Sequence, residues 1–124
     1  MTHTYKTGAF AKMADVTERT IRYYDKIGLL KPSFVMENGY RQYTDKDLLK
    51  LQKILALKQL GFSIDEIFPM VSDDSDDNFK LSLEIQSTLV DHKIKYLQSL
   101  KESIHYMIRS IDNGTLQWNR VVEL

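Results

Sequence analysis

The sequence predicts a mainly α-helical fold, a winged helix-turn-helix unit followed by a long coiled-coil helix. Three observations carry this. Two short helical patterns are separated by only three residues, Asp15-Val16-Thr17. A hairpin pattern around Asn38-Gly39 follows them. Residues 79–112 then hold apolar side chains at alternating 4,3 spacing, the repeat of a coiled-coil seam. The composition is that of a folded chain: 124 residues, 43% apolar and 27% charged. The expected organisation is a winged unit over 1–71, an acidic linker over 72–78, the long helix over 79–112 and a tail over 113–124.

Thr7 is expected to cap a first helix over Gly8–Ala14, with Ala9, Phe10, Met13 and Ala14 apolar. The next three residues allow only a tight turn, and Asp15 tolerates the left-handed conformation it needs. Thr17 is a good N-cap for a second helix, Glu18–Ile27, which Gly28 ends. That helix divides by face. Ile21, Tyr24 and Ile27 form an inward stripe; Arg19, Arg22, Tyr23 and Lys26 form the opposite one. Three cations and a phenol on one side suit a helix lying in a major groove. Arg can reach guanine O6 and N7, while Lys and a tyrosine hydroxyl can reach phosphates. A merely solvated charged face is the alternative on the stripe alone.

Pro32 prevents the helical pattern from resuming. Residues 34–43 read as a hairpin closed by a two-residue type I′ turn at Asn38-Gly39. Tyr40 and Tyr43 fall on opposite faces, and Arg41 at the tip can touch phosphate. Thr44-Asp45-Lys46-Asp47 and Ser63-Ile64-Asp65-Glu66 resemble capping boxes for a third and a fourth helix. The third runs to about Leu60 with Leu48, Leu51, Ile54 and Leu55 inward. Pro69 is expected to end or kink the fourth near Phe68.

In the long helix the seam is Leu83, Ser87, Val90, Ile94, Leu97, Lys101, Ile104, Ile108 and Ile111. At about 1.5 Å per residue the helix spans roughly 51 Å. An N-terminal unit of some 70 residues cannot cover that length, so a second copy of the chain is the simplest partner. The expected dimerisation residues are Leu83, Val90, Ile94, Leu97, Ile104, Ile108 and Ile111. Leu89, Tyr96, Leu100 and Met107 widen the stripe. The tail carries Leu116, Trp118, Val121, Val122 and Leu124.

Formal net charge is zero, yet it is unevenly divided. Residues 1–60 hold eleven Lys and Arg against six Asp and Glu, a surplus of five positive charges. Residues 61–124 hold six against eleven, a surplus of five negative charges. Such asymmetry points to a basic binding end and an acidic remainder. Cysteine is absent, which excludes disulfides, thiolate metal sites and cysteine nucleophiles. His92 and His105 stand thirteen residues apart on one helix and His3 near the terminus, so no Ser/His/Asp set forms. With no phosphate loop or metal spacing either, no enzyme, cofactor or metal is expected. The acidic stretch holding Asp73, Asp74, Asp76 and Asp77 lacks the Gly and terminal Glu of a calcium loop. The N-terminus lacks a signal-peptide h-region and no apolar run reaches membrane-span length, so a cytoplasmic protein is expected.

Residues 5–70 resemble the DNA-binding domain of the MerR family of bacterial transcription regulators. The resemblance rests on Arg19-Thr20-Ile21-Arg22-Tyr23-Tyr24-Asp25, Gly28-Leu29-Leu30-Lys31-Pro32 and Asn38-Gly39-Tyr40-Arg41-Gln42-Tyr43. It continues through Leu57-Lys58-Gln59-Leu60-Gly61-Phe62-Ser63 and Glu66-Ile67. The long helix matches the family's dimerisation helix in position. The resemblance implies a homodimer held by an antiparallel coiled coil on a pseudo-palindromic promoter, with a recognition helix in each of two major grooves. It implies double-stranded promoter DNA and RNA polymerase as partners. It also implies distortion of an over-long promoter spacer when an effector binds. Position by position, Arg22 and Tyr23 match recognition-helix contacts and Arg19 a position that often carries a cation. Tyr24 matches a neighbour that can contact backbone, Tyr40 and Arg41 the wing, and Lys58 a phosphate contact. Thr17 and Lys26 complete the expected DNA-facing set.

Some positions depart from the family. Asp15 stands where a turn Gly is usual, Lys6 and Ala9 replace a common Ser/Thr and Glu, and Pro69 interrupts the fourth helix. Absent cysteines exclude the ligands of the metal-sensing branch. The drug-binding branch appends a large effector domain, and about twelve residues follow the long helix in this sequence, so a small member is expected. A small aromatic or apolar effector near Tyr96, Tyr106 and Trp118 is one expectation; a tail that simply packs on the coiled coil is the other. A DNA-architectural or adaptor protein without an inducer is the second reading of the whole chain.

Overall fold

A computed structural model describes residues 3–72 and 76–121. The chain forms two units, Met1–Ser75 and Asp76–Leu124.

In the first unit, β1 (Thr4–Lys6) leads directly into α1 (Thr7–Met13). Thr7 is the first helical residue rather than the cap. Lys6 takes the extended N-cap conformation and offers no side-chain hydrogen bond, because an ammonium has no lone pair with which to accept from a backbone N–H. At the turn Asp15 adopts φ +57°, the left-handed conformation expected of it. Its N–H donates to the carbonyl of Lys12 at 3.2 Å and that of Val16 to Ala11 at 3.0 Å, closing α1 in a Schellman motif without glycine.

α2 (Glu18–Lys26) starts at Thr17, whose hydroxyl accepts from the N–H of Thr20 at 3.1 Å. It ends in a second Schellman motif. Leu29 N–H donates to Tyr24 at 2.9 Å and Gly28 N–H to Asp25 at 3.1 Å, with Gly28 at φ +81°. The motif drives Leu29 and Leu30 straight into the core, where each is 1% exposed.

The wing differs from the expected two-residue hairpin. β2 (Phe34–Val35) and β3 (Arg41–Thr44) are joined through a three-residue loop, Glu37 to Gly39. Met36 N–H donates to Tyr40 and Gly39 N–H to Met36, each at 2.8 Å. Gly39 has positive φ and Asn38 does not, so this is a turn closed by a left-handed glycine rather than type I′, which needs both. β1 pairs with the other side of β3, with Tyr5 opposite Tyr43, giving the order β1-β3-β2. Sequence patterning gives no sign of β1, because three residues are too few to show alternation. Its pairing makes β3 a central strand, so Tyr43 is fully buried and stacks on Phe10 with ring centroids 4.3 Å apart.

α3 (Asp45–Gln59) carries the full capping box between Thr44 and Asp47. It buries Leu51, Ile54 and Leu57, while Leu48 and Leu55 are half-buried. α4 (Ile64–Ser72) opens with the reciprocal Ser63 and Glu66 bonds. It does not end at Phe68. Proline removes one donor and crowds one carbonyl, but Ile67 and Met70 are buried on either side of it and hold the next turn in place.

In the second unit, α5 (Asp76–Asp112) is 37 residues long. It begins three residues earlier than its apolar pattern, inside the stretch read as linker. An acidic residue at a helix N-terminus complements the backbone dipole, so Asp77 favours the helix rather than preceding it. Asp73 and Asp74 lie outside the described residues. Thr115 N–H closes α5 onto Ser110 at 2.8 Å, and a short α6 (Trp118–Val121) follows. Val122 and Leu124 of the expected apolar tail lie outside the described residues. Among the described residues no helix is long and apolar enough to cross a membrane.

Candidate nucleic-acid interface

The two faces of α2 separate as the spacing predicts. Ile21 is fully buried and Tyr24 is 5% exposed, whereas Arg19, Arg22, Tyr23 and Lys26 are exposed on the other side. Arg22 is not free: its Nη2 donates to Glu18 Oε2 at 2.8 Å, one turn earlier. Glu18 itself lies against α1. A Cβ added at Gly8 would meet only the far end of this flexible side chain, so the carboxylate would have to shift.

A concavity of about 400 Å³ is lined by Arg19, Thr20, Tyr23, Tyr24, Lys58 and Ile64. It joins four expected contact residues drawn from two helices, with Ile64 of α4 beside them. Tyr23 and Tyr24 lie with ring centroids 6.1 Å apart. Burial raises the pKa of the Tyr24 hydroxyl, and the neighbouring Tyr23 adds to the effect. Tyr24 therefore belongs mostly to the core and only a small part of its surface reaches solvent. Thr17, though exposed, already spends its hydroxyl on the helix cap and on Thr20 Oγ1 at 2.9 Å.

On the wing, Tyr40 is 61% exposed and the Lys6 ammonium sits 5.7 Å from its ring centroid. Arg41 is not at the tip. It pairs with Val35 at the start of β3, and its Nε donates to Asp25 Oδ2 on α2 at 2.5 Å. Lys31 Nζ lies 4.0 Å from the other carboxylate oxygen. Reading faces along one helix leaves Asp25 without a role, because its partner Arg41 stands sixteen residues on in another element. The one local hint is a lone acid following a cation-rich stripe.

In the second unit Val90, Ile94, Leu97, Ile104, Ile108 and Ile111 are each 40–61% exposed in the single chain, and Leu83 is half-buried. Leu81, Ile85 and Leu89 add a further exposed apolar row near the start of α5. Tyr96, Tyr106 and Trp118 are exposed as well. Tyr96 and Tyr106 stand about 15 Å apart along the helix. A depression on α5 is lined instead by Gln98, Lys101, Glu102, His105 and Arg109.

Residues 5–73 match the family described as MerR HTH family regulatory protein. The chain is similar to the HTH-type transcriptional activator mta of Bacillus subtilis, at 36% identity over 110 residues. That match covers 89% of this chain but 42% of the relative, so the chain spans less than half the length of that protein. It is also similar to the crystal structure of a MerR family transcriptional regulator from Bacillus cereus. The TM-score is 0.75 and the identity 31%, covering 98% of this chain and 92% of the other. A third likeness, at TM-score 0.60 and 29% identity, is to HiNmlR, a MerR family regulator lacking the sensor domain and bound to promoter DNA. It covers 91% of this chain and 92% of that one.

Proposed function

The chain belongs to the MerR family of HTH regulatory proteins, and we propose on that premise that it is a sequence-specific DNA-binding regulator of transcription that acts as a homodimer on a pseudo-palindromic promoter. The carrying observation is the exposed face of α2. Arg19, Arg22, Tyr23 and Lys26 stand opposite the buried Ile21 and Tyr24, with Lys58, Tyr40 and Arg41 on the same unit. In this reading α2 enters the major groove and Arg22 and Tyr23 meet base edges. Arg19, Lys26, Lys58 and the wing meet phosphates and fix the register. The exposed apolar row of α5 meets a second copy, which spaces two recognition helices for two half-sites. The relatives named are regulators, and the reading is of a binding protein, not an enzyme. Its setting is the cytoplasm, with RNA polymerase as the further partner.

The finer mechanism belongs to the same proposal. The dimer distorts the promoter spacer in response to a small effector, whose site is not the set Tyr96, Tyr106 and Trp118, since Tyr96 and Tyr106 stand too far apart on one helix to hold one small molecule. The test is a gel shift on the DNA upstream of the protein's own gene, against a random duplex, over a series of salt concentrations. Log affinity should fall by about 0.9 per log unit of salt for each phosphate neutralised. A flat salt response, or equal affinity for both duplexes, refutes the reading.

A further inference from the structure

Asp25 is an acid on the recognition helix, within one turn of Arg22, and its side chain is only 15% exposed. Resting on the DNA-binding reading above, we infer that Asp25 is a positioning residue: it ties the wing to α2 through Arg41 and presents that guanidinium to a backbone phosphate. Three observations carry this. Asp25 Oδ2 accepts from Arg41 Nε at 2.5 Å, joining elements sixteen residues apart. The contact uses Nε alone and leaves the two terminal nitrogens of Arg41, whose side chain is 44% exposed, for a second acceptor. Lys31 Nζ stands 4.0 Å from Oδ1, so a second, exposed cation lies beside the carboxylate while Arg41 alone is hydrogen-bonded to it.

The chemistry favours this division of labour. A guanidinium is a rigid fork that can hold a carboxylate through one edge and a phosphate through another, which an ammonium cannot do as one fixed unit. A phosphate gripped by Arg41 is then fixed relative to α2. That sets how deep Arg22 and Tyr23 sit in the groove, in the way backbone contacts position base readers.

The inference can be separated from charge counting by its sign. An acid near DNA repels phosphate, so removing it should strengthen binding if charge were all that mattered. A positioning residue predicts the reverse. The experiment measures affinity and salt slope of the full chain on upstream-region DNA for wild type, Asp25→Ala, Asp25→Asn, Arg41→Ala and the double Asp25→Ala/Arg41→Ala. Asp25→Ala should weaken binding about fivefold or more, and each protomer should lose close to one phosphate from the slope, about 0.9. Arg41→Ala should do the same, and the double variant should be no weaker than Arg41→Ala. Asp25→Asn keeps the shape and an acceptor, so it should lose less in the same direction and guard against misfolding. Binding by Asp25→Ala and Asp25→Asn that is unchanged or tighter, with an unchanged slope, overturns the positioning role while leaving the DNA-binding reading intact. So do losses that multiply in the double variant. A wild-type chain that binds no DNA overturns both.

Discussion

Replacing Arg22 with alanine separates base reading from phosphate contact. The Arg22 side chain is 62% exposed, and Nη2 donates to Glu18 at 2.8 Å. An exposed pair at this helical spacing stabilises by about 0.3–0.5 kcal/mol. That much is given up when the guanidinium turns from Glu18 into the groove. A base-reading arginine contributes about 1–3 kcal/mol of specific binding. The net loss expected for Arg22→Ala is therefore about 0.5–2.5 kcal/mol, roughly 2- to 70-fold in affinity per recognition helix. Fluorescence anisotropy with the upstream-region duplex and a random duplex of equal length measures it, and the loss should be concentrated on the specific duplex. The companion Glu18→Gln weakens the hold on Arg22 and removes a negative charge from this face, so it should tighten binding about twofold on both duplexes. An equal loss for Arg22→Ala on both would refute base reading and leave Arg22 as a phosphate contact.

Two further predictions test the core and the seam. The pKa of the Tyr43 hydroxyl is pushed up to about 12 by burial, with Asp25 adding and Arg41 opposing. A folded value above the unfolded value of about 10 means the contribution to stability is complete below pH 10 and lost as pH rises through 12. Tyr43→Phe keeps the stack on Phe10 and removes the titration. By pH 11 its stability should gain on wild type by about 1 kcal/mol in urea unfolding, and a constant difference from pH 8 to 11 would contradict that. Ile104→Asp sets a charge into the α5 row proposed to meet a second copy, and a buried unpaired charge is destabilising by several kcal/mol. Sedimentation should then give monomer mass, while a dimer of wild-type strength would remove Ile104 from that interface.

Much of the winged unit is legible in sequence because its signals are local. Thr17, Gly28, the Thr44–Asp47 box and the Ser63–Glu66 box each act on backbone groups within a turn or so of themselves. Helical spacing likewise sorts Ile21 and Tyr24 from Arg19, Arg22 and Tyr23, because a helix turns every residue by the same angle. What escapes depends on distant elements. β1 is three residues long and exists through its pairing with β3. The third residue of the wing loop shows in its hydrogen bonds, since Asn38-Gly39 serves more than one turn type. Pro69 sits in a continuing helix because Ile67 and Met70 are buried around it.

The same line runs through the candidate interface. The amino-acid sequence by itself determines which side chains α2 turns outward, since helix geometry converts spacing into faces. It also determines the positive surplus of residues 1–60. The tertiary structure decides which of these groups stand together. It gathers Arg19, Tyr23, Tyr24 and Lys58 around one concavity, holds Arg22 on Glu18, and turns Arg41 back from the wing onto Asp25. Those contacts join different helices or a strand and a helix, apart from the Arg22 pair. Their distances are set by how α2, α3 and the sheet pack around Phe10, Ile21 and Tyr43, which no one-dimensional spacing encodes.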